Sequence, residues 1–198
     1  MARDLLYREA GFRAFVEECD VIFAGLAGWS FKTALLADSA NTRLGETPVA
    51  QPALFVVQTG IARLLYAWGI RPSAVLGHSL GEVAASYFAG IYSLSDALKI
   101  IFHRSRFQQQ APGDGQMVVV ALSLDHARLA LEPCHGRVEI AAINSPTQIT
   151  LSGDKHAVKK LTQRLLKQGV MCHSLGVDYA FHSYQMDPLE AELIAALT

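Results

Sequence analysis

Gly77-His78-Ser79-Leu80-Gly81 sets one serine between two glycines, the pattern G-x-S-x-G. A serine hydroxyl is a weak nucleophile at neutral pH and needs a neighbouring base. A sharp strand-to-helix elbow would lift its oxygen clear of the backbone. The chain folds tightly there, so the positions two before and two after must be small, and Gly77 and Gly81 meet that need. The apolar "SAVL" before the motif and "EVAAS" after it supply a candidate strand and a candidate helix. A helix start also brings free N–H groups and a positive dipole end near Ser79, and the N–H of Leu80 could face a developing oxyanion. The plainer alternative is a strand-helix junction capped by serine, which is common.

A base would be one of seven histidines. His78 adjoins the serine, but an adjacent residue on a tight elbow points elsewhere. His126, His135 and His156 lie on polar stretches that read as surface. His103 sits in a helix and reads as structural, and His173 lies in a strand. His182, in "VDYAFHSYQMDP", falls where a chain re-entering a main sheet would carry function on its loops. Residue pattern places it first without excluding the rest. No acid stands out to orient it, since Asp178 and Asp187 read as solvated loop charges. Arg104 and Arg106 share a helix. Either guanidinium could clamp a carboxylate through two parallel hydrogen bonds, and spacing does not separate that role from surface ion pairing.

The elements that must position these groups follow from periodicity. Helices are expected over about 3–19, 51–68, 80–89 and 95–110, the second with Pro52 in its first turn and Gly69 at its end. "VIFAGLAGWSFKTALLADSANTRLGETPVA" mixes a short helix with loop. From about Gly115 the pattern changes to "QMVVVAL", "SLDHARLALEP", "RVEIAAIN", "QITLSG", "DKHAVKKLTQRLLKQG" and "VMCHSLGV". That order is β-α-β-β-α-β, the ferredoxin-like unit. The expected architecture is α/β: a hydrolase-like larger unit with a parallel sheet, residues 1–114 and 178–198, and an inserted ferredoxin-like unit, 115–177.

Composition narrows the function classes. With 198 residues, 51% hydrophobic, and a formal charge of -1, the chain suits a globular domain and lacks a basic face for nucleic acid. Cys19, Cys134 and Cys172 are widely spaced with no C-x-x-C, which suggests neither a disulfide framework nor a zinc site, and a reducing cytoplasm is the expected home. No apolar run reaches the roughly 18 residues of a membrane span, and the charged, amphipathic start does not read as a secretory signal.

Five stretches in order, "TPVAQPALF", "WGIRPSAVLGHSLGEVAASYFAG", "SLSDALKIIFHRSRFQQ", "AAINSPTQITLSGD" and "VDYAFHSYQMDPLEAEL", resemble the acyltransferase domain of modular polyketide synthases. More distantly the chain is similar to the malonyl-CoA:acyl-carrier-protein transacylase of fatty-acid synthesis. Glu82 after the elbow favours this family over lipases. The resemblance implies ping-pong acyl transfer from an acyl-CoA to Ser79, then to the phosphopantetheine thiol of an acyl carrier protein, with no bound cofactor and with neighbouring synthase domains as partners. It implies that His182 is the catalytic histidine, held by main-chain carbonyls, which explains the missing acid. It implies that Arg104 grips the free carboxylate of a malonyl-type extender, that Gln51 lies near the pocket, and that Leu80 gives one oxyanion N–H. Arg106 has no such role in the family, and Asn144 serves the "INSP" turn.

Tyr179-Ala180-Phe181-His182 is a hybrid of the family's malonyl and methylmalonyl signatures. Phe181 would crowd an α-methyl, and Leu80 and "TPVAQPALF" also lean to malonyl. One methyl is worth only ~1–3 kcal/mol, so the motif favours malonyl without deciding it. The family pattern begins with a Gly-Gln-Gly-x-Gln loop that gives a second oxyanion donor, and continues after "PLEAELIAALT" with further strands and a distal glutamine. The resemblance therefore implies truncation at both ends. A serine hydrolase or esterase, or an inactive remnant that only binds a partner, are the competing readings. The first would need an acid between serine and histidine.

Overall fold

The computed structural model describes residues 1–198. The chain divides into two compact units, Met1–Gln109 with Leu193–Thr198, and Gln110–Glu192. No helix is long and apolar enough to cross a membrane.

The first unit is helical. Its elements are α1 (Arg3–Arg8), α2 (Ala10–Phe23), α3 (Phe31–Leu36), α4 (Thr47–Ala67), α5 (Gly81–Phe88) and α6 (Leu94–Gln110). The single helix expected over 3–19 is two, because Glu9 leaves helical geometry with φ -107 and ψ 101. α4 starts four residues before the expected position. Pro48 takes its first turn, while Pro52 lies inside the helix and is buried there. α4 ends through Gly69, where Ile70 N–H reaches Leu65 O and Gly69 N–H reaches Tyr66 O. Ser93 starts α6 by accepting from Asp96 N–H, and Asp96 returns a bond to Ser93 N–H.

Phenylalanines dominate this unit's core. Phe12, Phe23, Phe31 and Phe55 are fully buried. Each such burial stabilises by roughly 1.5–3 kcal/mol, enough to hold helices together without a sheet between them. The parallel sheet expected here is not formed. Residues 71–78, the expected strand before the elbow, carry no ladder, and Leu76 is 92% exposed. A strand exists only by pairing, and the one sheet of the chain is built from strands between Gly115 and Ser174.

The second unit carries β1 (Gly115–Val120), α7 (Leu124–Leu131), β2 (Val138–Ser145), β3 (Gln148–Asp154), α8 (Lys155–Lys167) and β4 (Cys172–Ser174). The four strands form one antiparallel sheet in the order β2-β3-β1-β4, the ferredoxin-like order that the β-α-β-β-α-β pattern implies. Ser123 caps α7 and Asp154 caps α8. Val118, Val120, Ile149 and Leu151 from the sheet bury against Ala157, Val158, Leu161 and Leu165 of α8.

Residues 178–192, expected with the larger unit, pack with the second one. Asp178 accepts from Gly115 N–H at 3.2 Å and pairs with Lys155 at 2.7 Å. Glu139 of β2 accepts from Tyr184 N–H at 2.7 Å. At Gly115 a Cβ would sit 2.1 Å from Ala180 N, so the absence of a side chain there admits the returning segment. The chain after β4 thus continues alongside β1 toward its first residue, with Leu175 N–H donating to Met117 O and Gly115 N–H to Asp178 O, before entering a 3-10 segment, Tyr184–Leu189, and α9 (Glu190–Leu197).

Candidate active site

The elbow is a tight turn. Gly81 N–H donates to His78 O at 3.0 Å and Glu82 N–H to Ser79 O at 3.0 Å, and α5 follows directly. Ser79 holds φ at +54, in the left-handed region that non-glycine residues rarely adopt. Such a residue stores on the order of 1–3 kcal/mol and persists only where its surroundings impose it. The turn is crowded at Gly77, where a Cβ would lie 2.2 Å from Gly81 C and O and 2.3 Å from Glu82 N. Gly81 differs from the expectation that both flanking residues must be small. A Cβ there meets nothing within 4 Å. One glycine gives the room and the other borders it.

Ser79 Oγ accepts from Arg104 Nη2 at 3.1 Å. Arg104 lies on α6, half-buried, and its Nη1 donates to Gln51 Oε1 of α4. Gln51 Nε2 donates to Gln108 Oε1 at 2.7 Å. Ser79, Leu80, Gln51 and Arg104 therefore come together in the first unit, with Gln108 added. The N–H groups of Gly81, Glu82 and Val83 make the turn's hydrogen bonds, and that of Leu80 is not one of them. Burial pulls the Arg104 guanidinium below its ordinary pKa, and the charge of Glu82 works against that shift. Both acceptors it faces here are neutral. Arg106, two residues on, is exposed.

His182, Tyr179 and Phe181 lie in the second unit. His182 also has φ in the left-handed region, at +59, and is exposed. Around it the segment is fixed. Ala180 is fully buried, Ser183 Oγ donates to Ala180 O at 2.7 Å, and Ser183 caps the 3-10 segment by accepting from Gln185 N–H. The rings of Tyr179 and Phe181 stack with centroids 5.5 Å apart.

The other histidines sort as their sequence positions suggested. His126, His135 and His156 are exposed, and so is His173. His78 lines an apolar cleft of ≈ 450 Å³ with Tyr66, Ile70, Leu76 and Phe88, while its neighbour Ser79 meets Arg104. His103 is wedged between Phe102 and Phe107. Burial, then Lys99 and Arg106, hold its pKa below the usual histidine value. Asn144 donates to Thr150 across the β2–β3 pair at 2.8 Å. No group of three or more His, Cys, Asp or Glu side chains is gathered to hold a metal ion.

Gln108 was missed in sequence. Its only signal was its place one turn after Arg104 on the same helix face. Nothing in the spacing ties it to Gln51, 57 residues away.

This combination of a ferredoxin-like unit with a serine elbow backed by an arginine belongs to a known class. The acyl transferase domain family matches residues 1–198, and the chain belongs to it. Erythronolide synthase EryA3 of Saccharopolyspora erythraea is 37% identical over 197 residues, covering 100% of this chain and 6% of that protein. A loading acyltransferase from the avermectin modular polyketide synthase superposes with a TM-score of 0.94 at 35% identity, covering 100% of this chain and 63% of that one. A malonyl CoA-acyl carrier protein transacylase from Clostridium perfringens gives 0.88 at 25% identity, covering 100% and 62%. The chain therefore spans a small fraction of the synthase and less than two thirds of the solved domains. The α/β fold is that of these acyltransferases.

Proposed function

We propose that the protein moves an acyl group from an acyl-CoA to the phosphopantetheine thiol of an acyl carrier protein, in polyketide assembly, with malonyl as the favoured group. Ser79 Oγ attacks the thioester carbonyl while His182 accepts its proton. The tetrahedral intermediate, its oxyanion facing the Leu80 N–H, expels the CoA thiolate, which leaves as the thiol with that proton. The carrier thiol then attacks the seryl ester, gives its proton to the histidine, and Ser79 departs as the alcohol. Fixed donors aimed at the oxyanion supply much of such catalysis.

The observation that carries this reading is Arg104. It is a half-buried cation whose pKa burial lowers, it touches the oxygen that would be acylated, and its acceptors there are neutral. Two contacts use two of a guanidinium's five N–H groups, so a carboxylate on the acyl chain can be bound beside Ser79. A simple ester would offer those remaining N–H groups no carboxylate. The comparisons support transfer over hydrolysis because the relatives described are synthases and a carrier-protein transacylase. The family resemblance supports malonyl over methylmalonyl through Phe181, whose bulk would crowd an α-methyl.

The test is intact-protein mass spectrometry after incubation with malonyl-CoA, methylmalonyl-CoA and acetyl-CoA, with Ser79→Ala alongside. The expected result is one malonyl group on the unsubstituted protein and none on the variant. No mass gain with any thioester, or a gain that survives Ser79→Ala, overturns the reading.

A further inference from the structure

We infer that Gln108 is a positioning residue for carboxylate recognition, acting on Arg104 through the amide of Gln51. The inference rests on the acyl-transfer reading above and adds a residue to it. Arginine only donates, so the Gln51 atom that meets Arg104 Nη1 is the carbonyl oxygen. Its NH₂ group is then necessarily turned the other way, and there it meets Gln108 Oε1 at 2.7 Å. A chain of fixed polarity results: Ser79 Oγ accepts from Arg104, Gln51 Oε1 accepts from Arg104, and Gln108 Oε1 accepts from Gln51.

An amide side chain has two nearly isosteric orientations. Rotated by half a turn, Gln51 would point N–H groups at a guanidinium that cannot accept them. What selects the productive orientation from the other side is an acceptor, and Gln108 is that acceptor. Because Arg104 and Gln108 stand one turn apart on α6 and Gln51 stands on α4, the three side chains also tie the two helices together at the level of Ser79. Replacing Gln108 by an apolar residue of similar size removes the acceptor and leaves the packing, so Gln51 can turn over and the guanidinium loses its set direction.

The experiment compares the unsubstituted protein with Gln108→Met, Gln51→Met and the double variant. It measures KM and kcat for acylation by malonyl-CoA and by acetyl-CoA, and the thermal midpoint of each protein. For Gln108→Met the expected result is a malonyl KM raised about five- to tenfold, the value of one neutral hydrogen bond, with kcat changed much less. The malonyl-to-acetyl ratio falls by the same factor. The double variant loses no more malonyl preference than Gln51→Met alone, because Gln108 acts through Gln51. An unchanged ratio, an equal loss with both thioesters, or additive losses in the double variant would overturn the inference while leaving acyl transfer intact. An unsubstituted protein that takes up neither group overturns the acyl-transfer reading and this inference with it. If Gln108→Met is unfolded, Gln108→Leu is read by the same criteria.

Discussion

Replacing Gly77 by alanine should damage this protein, while the same change at Gly81 should not. Both are glycines of one motif, and the structure treats them differently. The added Cβ at Gly77 would come within 2.2 Å of Gly81 C and O. Ordinary contact begins near 3.4 Å, so more than an ångström must be found, and the opposing atoms are backbone. Gly77 does not use a left-handed φ. Alanine therefore gains the usual ~0.4–1 kcal/mol from a less flexible unfolded chain. Against this stands the cost of overpacking, ~1–3 kcal/mol, for a net loss of about 0–2.6 kcal/mol, toward the upper end because the opposing atoms are backbone. The effect on chemistry is larger. The turn sets Ser79 Oγ 3.1 Å from Arg104, and a shift of an ångström breaks that contact. Misplacement on this scale costs on the order of 10² in rate. Gly81→Ala meets open space and should be neutral or stabilising by a few tenths to ~1 kcal/mol, since alanine suits a helix better than glycine. Thermal unfolding and the rate of Ser79 acylation read both effects. Equal behaviour of the two variants would refute the reasoning.

Arg104→Lys should cut malonyl acylation by about 10²-fold while sparing acetyl. One ammonium cannot span Gln51, Ser79 and a carboxylate as the fork does, and losing a hydrogen bond between charged groups costs ~1.5–3 kcal/mol. Parallel malonyl-CoA and acetyl-CoA assays check it. His103→Phe should flatten the acid limb of stability. The folded pKa of His103 is depressed, so below the ordinary histidine value of 6.5 the unfolded chain takes up a proton more readily. Stability is then lost as pH falls from about 6.5 toward the depressed value. Thermal midpoints between pH 5 and 8 should slope less in the variant, and equal slopes would count against it.

The second unit was legible in the sequence almost element by element, because its strands alternate and its helices are amphipathic, and these pair with one another in one sheet and one core. Ser123 stands at the start of its helix as a residue of capping type, and the structure shows it capping α7. The first unit was less legible. The apolar run before the elbow carries a strand's composition, but pairing is a tertiary fact that composition does not contain. Pro52 has the residue type of a helix start, but Pro48, four residues earlier, holds that place and Pro52 is buried within α4. At the site, Ser79 was marked by its flanking glycines. Arg104 was one of two equivalent arginines until the structure turned one inward. The resemblance to acyltransferases, not spacing, separated them. The strained φ of His182, unlike that of the elbow serine, has no sequence signature.

The run of chain beyond β4 beside β1 bears on chimeras. Exchanging only residues 115–177 with a relative would leave Asp178, Ala180 and Tyr184 from one parent against Lys155, Gly115 and Glu139 from the other. The seam would run through an ion pair, a close backbone approach and a hydrogen bond. Cutting instead near 110 and 192 keeps all three within one parental block. Tyr179 and Phe181 would then travel with the sheet that carries them.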